Sequence, residues 1–210
     1  MSQAQRFLAF AAATLALAAA LAVLLPWGLG ASDPEGAVLT ALKALERRAP
    51  SRALSYGTLV PRSLQYQRLE VQLAPGGEVA LVTATLDLEG ALERPLDPER
   101  TRISSLGLER IPFRRAGGEW EASAGGWPRL AAALEALEAR RRGQEQARPP
   151  GVTRRRWQAR AWYLRSEREG VTVAEDWRLT EDAAARPVDE LGTTRLVLED
   201  LPDGGLGWRE

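Results

Sequence analysis

The chain has 210 residues, 45% of them hydrophobic, which is enough for one or two small globular cores. Its 28 basic and 28 acidic side chains cancel, so no whole-chain field points to nucleic acid or to an acidic surface. It has neither cysteine nor histidine, which excludes disulfides, thiolate nucleophiles, Ser-His-Asp and Cys-His catalysis and the commonest metal ligands.

The first pattern is apolar. Arg6 is the only charge before the run Phe7–Leu25, and no further charge occurs until Asp33. A helix of that length spans about 28 Å, close to the hydrocarbon thickness of a bilayer. Pro26 and Gly28 end the run, and Trp27 has the position of an interfacial anchor. Residues 1–6 then read as a cytoplasmic N-terminus and 7–27 as a transmembrane signal anchor. The remainder is expected outside the cytoplasm, because Arg6 precedes the run and acids follow it. A single-pass protein of the inner membrane with a periplasmic C-terminal part follows from this reading. A cleaved signal peptide is the competing reading.

Asp33-Pro34-Glu35 is a helix start, with a cap, a proline at the first helical position and an acid in the first turn. Val38, Leu39, Leu42 and Leu45 make an apolar stripe that ends at Ala49-Pro50. Residues 51–63 are ambiguous. Gln67, Leu69, Val71 and Leu73 alternate against Tyr66, Arg68, Glu70 and Gln72 as a strand. After the turn at Pro75-Gly76-Gly77, Val79–Leu88 returns as a second strand. A polar loop is expected over 89–100, then a third strand over Ile103–Arg115 and a short one with Trp120.

A similar order follows. Trp127-Pro128 opens a helix with Leu130, Leu134 and Leu137 on one face, and 144–151 reads as a loop. In the next strand Trp157, Ala159, Ala161 and Tyr163 are expected to share a face. In the return strand Val171, Val173, Glu175, Trp177 and Leu179 share one. Residues 193–199 and 206–208 complete the set.

The two halves also match in sequence. ALKALERR at Ala41–Arg48 and ALEALEAR at Ala133–Arg140 agree at six of eight positions. Arg94-Pro95-Leu96-Asp97 returns as Arg186-Pro187-Val188-Asp189, and Gly117-Gly118-Glu119-Trp120 is answered by Gly204-Gly205 and Trp208. With Thr101-Arg102-Ile103 returning as Thr194-Arg195-Leu196 and Glu109-Arg110-Ile111-Pro112 as Glu199-Asp200-Leu201-Pro202, five such matches in one order suggest an internal duplication, with units at 33–124 and 125–210. Each unit reads as one helix over antiparallel strands, so the expected fold class is α+β.

The hairpin from Ile111-Pro112-Phe113-Arg114-Arg115 to Gly117-Gly118-Glu119-Trp120 resembles the closing hairpin of the NTF2-like and cystatin-like superfamily. That resemblance covers residues 34–122 and, more loosely, 126–210. It implies a helix wrapped by a curved sheet and carries no catalytic motif.

Two features bear on function. Residues 127–168 hold eleven Arg and four Glu, whereas 169–210 hold four Arg and eleven acids. The triplets Arg140–Arg142 and Arg154–Arg156 could form an anion-binding patch, but pairing of basic and acidic strands explains the asymmetry more simply. Glu175 falls on an apolar strand face, where a carboxylate with Tyr163 and Trp177 could line a ligand pocket. The reading these features support is a non-enzymatic, membrane-anchored protein working through protein contacts in a cell-envelope assembly. The alternative is an NTF2-like small-molecule binding or hydrolytic domain around Glu175. No cofactor, metal or nucleic acid is expected.

Overall fold

The computed structural model describes residues 33–95, 97–183, 187–201 and 206–208. The chain divides into compact units Met1–Ala37 and Val38–Glu210, and of the first only residues 33–37, the start of a helix, are described.

Helix α1 is Pro34–Arg48, and four strands and a short fifth follow: β1 (Arg52–Leu54), β2 (Gly57–Leu73), β3 (Val79–Arg94), β4 (Asp97–Ala116) and β5 (Glu119–Ala122). A single turn of 3-10 helix at Ser123–Gly126 leads into α2 (Pro128–Gln146). Then come β6 (Val152–Glu167), β7 (Gly170–Ala183), β8 (Val188–Asp200) and β9 (Leu206–Trp208). All the strands belong to one sheet in the order β1-β2-β3-β4-β6-β7-β8-β9, with β5 paired to one end of β4.

Every neighbour pair is antiparallel except β4 and β6, which run parallel from Arg102↔Ala161 to Gly107↔Ser166. A parallel neighbour cannot be reached by a hairpin, and α2 lies in the crossover that makes this pairing possible. Gly107 sits at the end of the seam with φ 147°, and a Cβ there would lie 2.0 Å from the Ser166 carbonyl oxygen. Glycine is what allows the two backbones to close at that point.

The core lies between the sheet and the helices. Ala80, Val82, Ala84, Leu86 and Leu88 alternate inward along β3, as their period of two requires. Val38 and Leu42 of α1 and Leu130, Ala133, Leu134 and Leu137 of α2 join the same cluster. Apart from the short β1, which has no counterpart after α2, the order of helix, three long strands and one short strand occurs twice, but both sets share one sheet and one core.

This corrects the expected fold class. Strand makes up 63% of the described residues and helix 22%, so the architecture is a curled mixed sheet with two helices, not a pair of separate α+β units. It also removes the support for a single-pass inner-membrane protein with a periplasmic domain. Among the described residues no helix is long and apolar enough to cross a membrane. α1 ends in Arg47 and Arg48, and α2 carries Arg140, Arg141, Arg142 and three glutamates. The apolar run at 7–27 lies outside the described residues.

Local expectations change for identifiable reasons. The expected polar loop over 89–100 is largely strand, because β3 and β4 stay paired down to Arg94↔Asp97. In β2 the register shifts between Gln67 and Glu70, where Arg68 has φ 53°. The extra residue reverses the parity, so Leu64 and Tyr66 are buried before it while Leu69, Val71 and Leu73 pack on the core after it. A second shift, between Ala159 and Ala161, acts likewise in β6. Trp157 and Ala159 face the core before it, and Trp162 and Leu164 after it.

Candidate functional site

Polar groups gather in two places, beneath α2 and on the opposite, outer face of the sheet. Beneath α2, Glu138 is 2% exposed and accepts hydrogen bonds from Arg94 Nε at 3.0–3.1 Å, Arg94 Nη2 at 2.8 Å and Arg141 Nε at 2.8 Å. Arg94 also donates to Thr101, whose hydroxyl donates to the Ala159 carbonyl at 2.6 Å. Arg141 reaches on to Glu145 at 2.9 Å. Burial pushes the Glu138 pKa up, but the bonds from Arg94 and Arg141 outweigh it and hold the carboxyl below its usual range. The array ties β3 and β4 to the last turns of α2.

Glu109, on β4, is 1% exposed and accepts the backbone N–H groups of Arg129 at 3.0 Å and Leu130 at 2.7 Å. It thus caps α2 from another element, in place of the side-chain cap that Trp127 cannot supply. Desolvation raises its pKa to about 7 against the opposing pull of those two N–H bonds and of Arg129 and Arg52.

Of the residues expected to form a pocket, Glu175 and Trp177 share the inner face of β7, and Tyr163 lies apart from them. Glu175 is fully buried, its oxygens taken by Arg140 Nη1 at 2.6 Å and Trp162 Nε1 at 3.0 Å. Tyr163 is 43% exposed on the other face, because the β6 register shift turns Trp162 inward in its place. Trp177 stacks on Trp157 with centroids 4.4 Å apart and donates to Thr194 Oγ1 at 2.8 Å. Glu175 lines none of the three depressions described below.

Among the described residues, five of the six arginines in the two triplets are engaged, Arg154 being the exception. Arg140 and Arg141 hold Glu175 and Glu138, and Arg142 lies over the Tyr56 ring. Arg155 pairs with Glu181 and donates to the Ala147 carbonyl, while Arg156 pairs with Asp97. Asp97 also accepts the N–H of Glu99, the local turn its Arg-Pro-x-Asp setting suggests.

The outer face of β6, β7 and β8 carries three adjoining shallow depressions of about 430, 390 and 280 Å³. Arg160 and Leu191 border the first two, and Glu99 and Arg178 link the first to the third. Together they form one open trough from Arg102 and Thr193 at one end to Arg154 and Asp182 at the other. Arg178 holds Asp189 with two bonds of 2.8 Å, and that contact keeps the Asp189 carboxyl below its usual pKa range. Thr193 donates to Asp176 at 2.8 Å. Arg102, Arg154 and Arg160 are exposed and form no ion pair among the described residues. Gln158 is 7% exposed, and its Nε2 has no hydrogen-bond partner among the described residues. Leu106, Tyr163 and Leu191 stand exposed on the same face, at 52, 43 and 65%.

The sequence held one signal for this surface, alternation. Arg154, Arg156 and Gln158 on β6, with Arg178, Thr180 and Asp182 on β7, recur at every second position. Among the described residues no group of carboxylates is arranged to hold a metal ion. No family model, no curated protein and no solved structure matches the chain.

Proposed function

We propose that the protein is a non-enzymatic binding protein that works through protein contacts, and that the outer trough is its contact surface. The observation that carries this reading is the trough's lining, where Arg102, Arg154 and Arg160 stand without an ion pair among the described residues and Leu191 is exposed beside them, with Leu106 and Tyr163 exposed elsewhere on the same outer face. Arginine and tyrosine beside apolar side chains are the residue types that protein interfaces favour. The depressions are open and polar, without the deep apolar concavity of a small-molecule site. The matching partner is a polypeptide segment with carboxylates to meet Arg102, Arg154 and Arg160, and apolar side chains between them. The buried carboxylates take no part, since Glu109, Glu138 and Glu175 are engaged with backbone N–H groups or with side-chain donors of Arg94, Arg140, Arg141 and Trp162.

A photo-crosslinking amino acid at Tyr163 or Leu106 tests the reading in cells. The expected result is capture of one specific protein from both positions, lost when Arg102 and Arg160 are changed to Glu, and none from exposed Lys43 on α1. Equal capture from Lys43, or capture indifferent to the two arginines, contradicts it.

A further inference from the structure

We infer that two copies of this chain associate through the free edge of β8, joining their sheets across a two-fold axis at Gly192. This goes beyond the proposed function and does not rest on it.

The sheet has two long edges, and they are built differently. Outside β2, β1 covers only Gly57–Leu59, leaving the rest of that edge without a strand among the described residues. That edge is broken by Pro61, by register shifts at Pro61/Ser63 and Gln67/Glu70, and by the left-handed Arg68. Bulges, prolines and charges of this kind are how proteins keep an exposed edge from pairing. The other edge has no bulge and, over Val188–Leu196, no proline. β8 pairs with β7 without a register shift from Gly170↔Glu199 to Glu181↔Val188. β9 covers it only at Leu198–Asp200, so among the described residues the backbone of Val188–Leu196 has no strand on its outer side. Asp189, Glu190, Leu191, Thr193 and Arg195 are exposed along it. A straight, regular, uncovered edge is a template for another strand.

The charges on β8 select the occupant. In an antiparallel pair, facing residues lie on the same side of the sheet, so two copies of β8 can meet only in registers that match like parity. Within Val188–Leu196 the basic residue is Arg195 and the acidic ones are Asp189 and Glu190. Glu190 lies on the opposite face from Arg195. Asp189 shares its face, and the two stand opposite one another in a single register, centred on Gly192. Symmetry makes that contact twice. The same register sets Leu191 against Thr193 and Glu190 against Thr194, places no like charges face to face, and ends at Leu196, just short of β9. At the axis Gly192 meets its own counterpart. Its side is already filled by Trp177, whose ring lies 2.3 Å from where a Cβ would be. The two half-buried Trp177 indoles are then brought to either side of the axis, where association covers them further.

Such a pairing forms about eight inter-chain backbone hydrogen bonds and buries less than a standard interface of about 1,600 Å², so its affinity is expected in the micromolar range.

Sedimentation of the full chain from micromolar to sub-millimolar concentration tests this. The expected result is a reversible monomer–dimer equilibrium. Arg195→Glu turns two opposite-charge contacts into two like-charge contacts and should weaken it about tenfold or more. Arg62→Glu, on the β2 edge, should leave it unchanged. Because the chain has no cysteine, the double variant Leu191→Cys/Thr193→Cys reports register directly: mild oxidation should yield a covalent dimer, and either single variant should not. Arg195 is exposed, so circular dichroism should show both charge variants folded as the parent is. A chain that stays monomeric throughout, a dimer that responds to Arg62→Glu and not to Arg195→Glu, or a dimer that the cysteine pair fails to trap overturns the proposal.

Discussion

Glu109 makes the stability of this fold depend on pH in an unusual direction. Its carboxyl is buried against the start of α2, and desolvation lifts its pKa from the ordinary 4.5 to about 7. A carboxyl whose folded pKa lies above its unfolded one binds its proton more tightly in the folded state. The resulting stabilisation is fully present below pH 4.5 and is lost as pH rises through 7. The gap from 4.5 to about 7, at about 1.4 kcal/mol per pH unit, amounts to about 3 kcal/mol. In a protein of this size that corresponds to roughly 6–12 °C in Tm. The chain has no histidine, so few other side chains ordinarily titrate in this window. Glu138 works in the opposite sense, its folded pKa being lowered, and affects stability only as pH falls below the ordinary carboxylate range. Urea melts from about pH 5 to about pH 8.5, followed by tryptophan fluorescence, should therefore show the parent losing stability as pH rises. Glu109→Gln keeps an oxygen to accept the Arg129 and Leu130 N–H groups but has no proton to lose, so its stability should be nearly flat across the window. A parent curve that is flat or rises with pH, or a variant that keeps the parent's slope, would refute the reasoning.

Further outcomes follow from the packing. Glu138→Ala leaves Arg94 and Arg141 buried without their carboxylate and should cost about 3–5 kcal/mol in denaturant melts. Leu42→Asp and Leu134→Asp each place a charge at a fully buried position and should each destabilise by several kcal/mol; a variant that melts like the parent would remove its helix from the core. Gly107→Ala drives a methyl group into the Ser166 backbone at a φ that suits only glycine, and should lower Tm by an amount corresponding to about 2 kcal/mol or more.

What the sequence made legible was local. The Leu stripes of α1 and α2 and the alternation of Val79–Leu88 are strong periodic signals, and those segments form a helix, a helix and a strand. α2 outruns its expected end because Gly143 is tolerated and Arg141 pairs with Glu145 one turn on. The misses come from single residues that change parity. Reading β6 as unbroken placed Tyr163 on the face of Trp157, whereas the extra residue at Arg160 turns Trp162 inward and Tyr163 out. Periodicity sums over a window and cannot register one inserted residue. Glu175 does lie on the apolar face its phase indicates, but its partner Arg140 comes from a helix 35 residues earlier. The β4–β6 seam left no mark at all, since parallel pairing between strands so far apart in the chain imposes no local pattern. The outer trough was obscured because its arginines are spread over β4, β6 and β7.

The seam is where the claim of one continuous sheet is most exposed to test. Amide hydrogen exchange of the full chain should be followed at Arg102–Gly107 and Ala161–Ser166, with the centre of β3, Val82–Leu86, as reference. If both halves share one sheet and one core, the hydrogen-bonded seam amides exchange only through global unfolding, with the same opening free energy as β3. Seam amides that exchange at the rate of exposed backbone, or two halves that open independently with separate free energies, would contradict it.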